Sequence, residues 1–224
     1  LDEAQELDAD FAHVRQSLAG PLSISLPRDF GLAFLKPVLL DFVRRHPEIH
    51  LKADFDDRQV DLDHENYDLA VRISDSEETN MVSKIIGSTD HSLFASLEYA
   101  DKYELPREIE GLKEHSLLQY GPSRRATWRF KTDVGLRDFE FQPSMNSNSG
   151  QFLLEATRNG MGIARLPDFL TNAPFARWEL VPVLQAFALE KLSVRLTYSK
   201  NRLLSKRMRI FIKEVSVACN VAQI

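Results

Sequence analysis

The clearest evidence for the architecture lies in residues 21–55, which read PLSISLPRDFGLAFLKPVLLDFVRRHPEIHLKADF. Apolar and polar residues alternate over residues 22–26, and this period of two predicts a strand. Apolar residues then recur at helical spacing from Leu35 to Val43, and a second alternation over residues 49–55 predicts another strand. The stretch is therefore a β-α-β unit, whose strands should be parallel and whose crossover should be right-handed.

The rest of the chain continues this strand-and-helix order, so the predicted fold class is α/β. Residues 60–65 predict a short helix, and Tyr67 to Ile73 predict a buried strand. A second unit begins near Glu98 and contains a helix from Ser149 to Asn159. The sequence shows no long flexible linker, which favours two lobes joined by crossing strands over two separate domains.

The composition is that of a globular protein. The 224 residues include 28 Lys plus Arg and 33 Asp plus Glu, which gives a net charge of −5. This negative charge argues against binding of nucleic acid by the chain alone. The single cysteine, Cys219, excludes a disulfide framework and a multi-cysteine zinc site. Neither a membrane-spanning apolar run nor a signal peptide is recognisable. These features predict a cytoplasmic protein without membrane contact.

Residues 2–18 predict an N-terminal helix with acidic residues at its start. Leu7, Phe11, Val14 and Leu18 recur at intervals of four, three and four, which places them on one stripe. A single narrow apolar stripe of this kind is typical of a seam at which two helices pair.

Common catalytic and nucleotide-binding motifs are missing from the sequence. It contains no GxGxxG, GxxxxGK[ST], HExxH or GxSxG, and its six histidines lack metal-ligand spacing, so no cofactor, metal site or catalytic residue is predicted. The acidic stretch over residues 54–68 is interpreted as a solvated edge. Six basic residues and no acid occupy residues 200–213, and we interpret them as the solvated face of a final helix, with nucleic-acid contact as the weaker alternative.

The loop Pro27-Arg28-Asp29-Phe30 follows the first predicted strand. In open α/β sheets, ligands bind at the carboxyl ends of the strands. The guanidinium of Arg28 could bind a carboxylate there through two parallel hydrogen bonds. The alternative is that Arg28 and Asp29 are solvent-exposed turn residues, with Asp29 capping the next helix.

Ser147, Asn148 and Ser149 precede the helix of the second unit. One of the three should act as its N-cap, because their short polar side chains can accept a hydrogen bond from a free backbone N–H. The positive end of the same helix is also suited to an anion.

Arg72 is a charged residue inside an otherwise apolar strand. Burying an unpaired charge is costly, so its side chain should either form an ion pair with Asp56 or Asp57 or line a cleft. The sequence leaves both interpretations open.

Several short segments share their order and spacing with one known family. They are Gly20-Pro21-Leu22-Ser23-Ile24, Phe42 with His46-Pro47-Glu48-Ile49, Tyr67-Asp68-Leu69-Ala70-Val71-Arg72-Ile73, Asn148, and Gly160-Met161-Gly162-Ile163-Ala164-Arg165-Leu166-Pro167-Asp168-Phe169. Over nearly its whole length the chain resembles the effector-binding region of LysR-type transcriptional regulators.

The resemblance implies a two-lobed fold like that of type 2 periplasmic binding proteins, each lobe an open α/β sheet. Residues 1–19 would be the end of a linker helix, residues 20–94 with 200–224 the first lobe, and residues 95–199 the second. A small effector, predicted to be anionic, would bind in the cleft between the lobes. The predicted effector-binding residues are Pro27, Arg28, Asp29, Phe30, Arg72, Ser96, Ser147, Asn148, Ser149 and Gly162.

The resemblance also implies how such a chain would act. It would form a homo-dimer or homo-tetramer, and it would reach DNA only through an N-terminal helix-turn-helix domain that is absent from these residues. Two alternatives share the scaffold, namely an extracytoplasmic solute-binding receptor and, less favoured, an enzyme. The apolar stripe of the N-terminal helix has no evident role in a monomeric receptor, and no nucleophile–base pair supports an enzyme.

Overall fold

A computed structural model of the chain describes residues 17–74, 81–172 and 179–221. The helix predicted over residues 2–18 lies outside these ranges, apart from Ser17 and Leu18, which have no regular structure. The described residues form two compact units. The first contains the residues up to Ser88 and those from Ser193 onward, and the second contains Thr89–Leu192.

The two units consist of strands and helices, as the α/β class requires. A π-helical turn, Gly31–Leu35, joins the first two helices, and a 3-10 helix, Ile109–Glu114, precedes the sixth strand. In chain order the elements are β1 (Gly20–Leu26), α1 (Arg28–Phe30), α2 (Lys36–Arg45), β2 (Ile49–Phe55), β3 (Leu69–Ile73), β4 (Met81–Thr89), β5 (His91–Ser96), α3 (Leu97–Lys102), β6 (Leu117–Tyr120), β7 (Ala126–Thr132), β8 (Gly135–Phe141), β9 (Met145–Ser147), α4 (Gly150–Arg158), β10 (Ile163–Pro167), α5 (Asp168–Thr171), β11 (Leu180–Val183), β12 (Ala188–Leu189), β13 (Leu192–Ser199) and α6 (Lys206–Val221).

The first unit contains a five-stranded sheet in the order β2-β1-β3-β13-β4. Strand β1 is parallel to β2 along its whole length, from Gly20 opposite Ile49 to Leu26 opposite Phe55, and it is also parallel to β3. The β-α-β unit predicted from residues 21–55 and its parallel pairing are confirmed. Strand β13 returns antiparallel to β3 and closes the sheet against β4.

Helix α2 packs against α6 through its apolar side. Leu39 and Phe42 are buried, and the ring of Phe42 meets that of Phe211 on α6 edge to face at 5.2 Å. Full burial of such a side chain contributes about 1.5–3 kcal/mol. Val43, assigned to the same face by its spacing, is 39% exposed.

The short helix predicted over residues 60–65 is absent, and turns occupy this stretch. The carboxylate of Asp61 accepts hydrogen bonds from the backbone N–H groups of Asp63 and His64, at 3.1 and 3.0 Å. Asn66 then has a φ of 58°. An aspartate that binds the backbone after it competes with helical hydrogen bonds, and a left-handed residue ends the run.

The second unit contains two sheets. One has the strand order β11-β5-β10-β6-β9 and the other the order β12-β7-β8. Trp128 and Phe130 of β7 are fully buried in a core that includes Leu93 of β5 and Ile163 of β10. The short strands β11 and β12 were not predicted, because four and two residues are too few for a period to show.

The chain passes between the units at Ser88–Thr89 and at Leu192–Ser193. The family resemblance placed these crossings several residues later, after residues 94 and 199. Pairing explains the difference, because β5 pairs with β10 and β11 in the second unit, whereas β13 pairs with β3 in the first. Within the described ranges, every helix falls short of the length and apolarity that crossing a bilayer requires.

Candidate functional site

The carboxyl ends of β1 and β3 lie side by side in the first unit, because these strands are parallel neighbours. The loop from Pro27 to Phe30 starts at this edge. The backbone N–H of Arg28 donates to Oδ1 of Asp57 at 3.2 Å, and the N–H of Asp56 donates to the carbonyl of Leu26 at 2.9 Å. Residues that follow β2 therefore hold the loop that follows β1.

The four residues of this loop that were predicted to bind the effector differ in burial and in structural role. Phe30 is buried and stacks on Phe34 with ring centroids 5.1 Å apart, so it belongs to the core. Pro27 is buried and occupies the N-cap position of α1 without a side-chain cap, while Asp29 lies inside the first turn. The suggestion that Asp29 is the N-cap is thus wrong. The half-buried side chain of Arg28 is the cationic group of the loop.

Arg72 lies at the same edge and binds three oxygen atoms. Its guanidinium donates to Oγ of Ser25 at 2.8 Å, to the carbonyl of Val71 at 2.7 Å and to the carbonyl of Arg58 at 3.0 Å. These bonds join β3 to β1 and to the loop after β2. Arg72 therefore organises the edge at which Arg28 lies.

A second group of charges supports this loop. Arg58 forms ion pairs with Asp56, at 3.0 Å, and with Glu65. Hydrogen bonding by the Arg58 guanidinium lowers the pKa of Glu65 to about 2. The pKa of Asp56 is lowered by the backbone N–H of Arg58 and, more weakly, by the nearby charges of Arg58 and Arg28. Both carboxylates are thus ionised at neutral pH and fix the loop that binds Arg72.

The sequence reasoning missed Ser25 and Arg58 as parts of this edge, and it named Asp57 only as a possible ion-pair partner of Arg72. Asp57 and Arg58 were within the acidic stretch interpreted as solvated. Their position just after β2 was the available signal, because parallel strands bring their carboxyl ends to one edge.

The carboxyl ends of β6, β9 and β10 form the corresponding edge of the second unit, since all three strands are parallel. Ser147 ends β9 and lies opposite Tyr120. Its Oγ accepts a hydrogen bond from the N–H of Ser149 at 3.1 Å. Ser149 is the N-cap of α4, as its Oγ accepts from the N–H of Phe152 at 3.2 Å. The expectation of an N-cap among these three residues is confirmed, and the exposed Asn148 lies between the two serines.

The loop after β6 adds basic side chains next to this helix start. The amide of Asn146 donates to the carbonyls of Gly121 and Ser123, at 3.0 and 2.9 Å, and so fixes the loop. Arg124 and Arg125 follow in the same loop with exposed side chains. Sequence reasoning did not find this pair, because only the pairing of β6 with β9 brings the loop beside Ser147.

Ser96 and Gly162 lie at the opposite edge of the second unit's sheet. Strand β5 is antiparallel to β10, so its end, Ser96, is level with the start of β10. Ser96 is buried and accepts from the N–H of Tyr99 as the N-cap of α3. At Gly162, with a φ of +153°, an added Cβ would lie 2.3 Å from the carbonyl oxygen of Ser116. The structure thus brings these two residues together but away from Ser147 to Ser149, and both have structural roles there.

The second unit also contains a cavity of about 620 Å³ along β5 and β11. His91, Phe94, Asp168 and Val183 line it. Burial and the charge of Arg165 lower the pKa of His91 to about 3, so the imidazole is neutral at pH 7. Across the described ranges no group of three or more His, Cys, Asp or Glu residues has an arrangement that could hold a metal ion.

Comparison with known proteins agrees with the family suggested by the sequence. The LysR substrate binding domain matches residues 15–219. An uncharacterized HTH-type transcriptional regulator of Haemophilus influenzae is 36% identical over 203 residues, which cover 90% of this chain and 69% of that protein. The HTH-type regulator YhjC of Escherichia coli is 27% identical over 216 residues, covering 95% of this chain and 72% of that protein.

Solved structures share the fold. The full-length virulence activator AphB of Vibrio cholerae, a LysR-type protein, superposes with a TM-score of 0.77 at 20% identity, covering 96% of this chain and 73% of AphB. The regulatory domain of CrgA from Neisseria meningitidis gives 0.76 at 24% identity, covering 89% and 98%. The predicted two-lobed fold of the type 2 periplasmic-binding-protein kind is confirmed. Because the family match extends over most of the sequence, the chain belongs to the LysR substrate-binding domain family, the effector-binding region of LysR-type transcriptional regulators.

Proposed function

We propose that this chain senses a small anionic effector through the carboxyl edges of its two units. The observation that carries the proposal is that each edge offers groups suited to an anion. In the first unit, Arg28 lies at the edge that Arg72 organises, and in the second, the positive N-terminal end of α4 lies beside a basic loop. Guanidinium groups and helix N-termini both stabilise negative charge.

The proposed contacts are narrower than the set suggested by the family resemblance. Arg28, Ser147 and Asn148 contact the effector, Arg72 positions the first edge, and Ser149 caps α4. Phe30, Ser96 and Gly162 act through the fold alone. Pro27 and Asp29 shape the loop that presents Arg28.

Effector binding is expected to act on a larger assembly. The relatives named above are HTH-type regulators, and this chain covers 69% and 72% of their lengths. We therefore infer that the chain works as a homo-dimer or homo-tetramer in the cytoplasm, with a DNA-binding domain preceding it in the whole regulator. The effector shifts the equilibrium between arrangements of the subunits to the extent that its affinity for them differs.

Thermal unfolding against a library of small carboxylates, amino acids and aromatic acids tests the proposal. A ligand present at about 100 times its Kd adds about 2.7 kcal/mol to the free energy of unfolding. Light scattering on the same samples reports the oligomeric state. Ligand binding by a dimer or tetramer supports a sensor, whereas ligand binding by a strict monomer contradicts the proposed assembly.

Two substitutions test where the effector binds. Arg28→Ala and Asn148→Ala should each weaken binding of an identified effector at least tenfold, corresponding to about 1.4 kcal/mol, because each removes a direct contact. Arg44→Ala is the matched control, since Arg44 is a 78% exposed arginine on α2. Unchanged affinity in both Arg28→Ala and Asn148→Ala would show that the effector binds elsewhere.

A further inference from the structure

Helix α6 carries a row of cations, which we name the α6 stripe. Lys206, Arg209 and Lys213 follow the spacing i, i+3, i+7, so they lie on one face of the helix, and all three are exposed. None of them pairs with a carboxylate in the part of the chain that the structure describes. Sequence reasoning assigned these residues to a solvated face, and the proposed function makes no use of them.

The neighbouring acids do not neutralise the stripe. Glu214 follows Lys213 in sequence, but its carboxylate accepts hydrogen bonds from Arg45 of α2 at 2.8 and 2.6 Å. Asp41 of α2 also binds Arg45, at 2.8 Å. Glu214 of α6 and Asp41 of α2 are thus both already paired with Arg45 of α2.

The stripe lies near the N-terminus of α6, where the helix dipole makes unpaired positive charge unfavourable. The first turn of α6 contains no acidic residue. Lys206 and Arg209 therefore place positive charge at the positive end of the helix dipole, where anions are favoured. A partner with several negative charges would relieve both the mutual repulsion of the cations and their conflict with the dipole.

The N-terminal segment of the chain enters the first unit at this point. Nη1 of Arg207 donates to the carbonyl of Ala19 at 3.2 Å, and the Arg207 guanidinium lies against Gly20. The segment before Ala19 is acidic at its far end. Over residues 1–12 it contains no Lys or Arg and five carboxylates, which are Asp2, Glu3, Glu6, Asp8 and Asp10.

The chain is long enough to bring these carboxylates onto the stripe. Ala19 is nine positions after Asp10, a stretch that spans about 14 Å as the helix predicted over residues 2–18 and at most about 30 Å when extended. The stripe extends only about 9 Å along the helix from Arg207 to Lys213. A tethered segment also has a high effective concentration at a neighbouring surface, which a separate acidic molecule lacks.

We propose that the acidic residues of this segment, over residues 1–12, dock in the same subunit on the α6 stripe formed by Lys206, Arg209 and Lys213. The contact fixes the direction in which the N-terminal segment leaves the first unit. Because it consists of exposed charges, added salt weakens it.

Zero-length coupling with a carbodiimide tests the proposal, since it joins a lysine amine to a carboxylate only when the two are in contact. In the full chain at about 0.05 M salt, Lys206 and Lys213 should couple to acids of residues 1–10 about fivefold more than two exposed control lysines, Lys113 and Lys131. Raising the salt concentration to about 0.5 M should remove the difference. Arg209→Glu should lower this coupling several-fold. Arg107→Glu, at an exposed site of the second unit, should leave it unchanged.

Mixing unlabelled and ¹⁵N-labelled chains separates coupling within one subunit from coupling between copies. Cross-links found only between copies overturn the proposed same-subunit docking. Coupling of Lys206 and Lys213 at the level of the control lysines overturns it as well. A labelled DNA duplex tests the competing occupant. If Lys206 and Lys213 couple only at the control level, and Arg209→Glu abolishes binding of the duplex, the stripe is a nucleic-acid surface instead.

Discussion

The carboxyl edges of the two units are built by different means. In the first unit, side-chain bonds dominate, because Arg72 joins Ser25 to the loop after β2 and Arg58 holds that loop through two carboxylates. In the second unit, the edge depends on local backbone geometry, with Ser149 capping α4 and Ser147 binding the N–H of Ser149.

This difference predicts how each edge responds to the loss of one side chain. The first edge is a network whose members come from strands far apart in sequence, so the loss of one side chain leaves several partners unsatisfied. The second edge consists of contacts between residues two or three apart, so each can be lost with small consequences elsewhere. Substitutions should therefore cost more stability at the first edge.

The largest effect is expected at neither of these edges. Gly162→Ala should lower the free energy of unfolding by about 4 kcal/mol, because it adds backbone strain and a contact with the Ser116 carbonyl that cannot relax. Gly135→Ala is the matched control, with a φ of +118° but open space around the new Cβ, and should cost only about 1–2 kcal/mol. Equal losses in urea unfolding would show that strain alone constrains Gly162.

Arg72→Met should give the next largest loss, about 2–3 kcal/mol, because it leaves the buried Ser25 hydroxyl and two carbonyls without their donor. Arg72→Lys keeps the charge but not the planar fork and should cost less than half as much. Urea unfolding at pH 7 measures both losses. A loss below that of a single cap would contradict the network description of the first edge.

Ser149→Ala should cost about 1 kcal/mol, the usual effect of removing an N-cap. Ser123→Ala, an exposed serine in the loop after β6, is the control and should be close to neutral. If Ser149→Ala destabilised the protein as much as Arg72→Met, the two edges would not differ in the proposed way.

Much of the fold could be predicted from local sequence. The β-α-β unit of residues 21–55 showed both of its periods clearly, and Ser149 was within the group predicted to cap α4. The turn at residues 61–66 could not be predicted from apolar spacing, because the side chain of Asp61 decides it by binding the backbone. The spacing of apolar residues does not show where a side chain competes with the helix for backbone hydrogen bonds.

The candidate site was less predictable, because it depends on which strands are neighbours. Arg28 and Arg72 are 44 positions apart, and the partners of Arg72 include Ser25 and Arg58, whose proximity follows from parallel pairing. Ser96 and Gly162 were included on family resemblance alone. The antiparallel direction of β5 places them at the other edge, and nothing in their local sequence indicates that direction.

The smallest predicted effect concerns the charges that support the first edge at low pH. The pKa of Glu65 falls from 4.5 to about 2 in the folded protein, chiefly through its hydrogen bond with Arg58. A depressed carboxyl pKa contributes stability above the unfolded value, and that contribution is lost as the pH falls through the folded value. The wild-type protein should therefore lose this contribution between about pH 4.5 and about pH 2.

Glu65→Gln should remove that part of the pH dependence, since the amide does not titrate. Its urea midpoint should already be slightly lower than that of the wild type at pH 6, and the gap should close towards pH 2. Glu104→Gln is the control, because Glu104 is 83% exposed and pairs only loosely with Arg107, at 3.4 Å. Exposed ion pairs are weak singly, so a gap larger at pH 2 than at pH 6 would mean that Glu65 stabilises the loop by packing and not by charge.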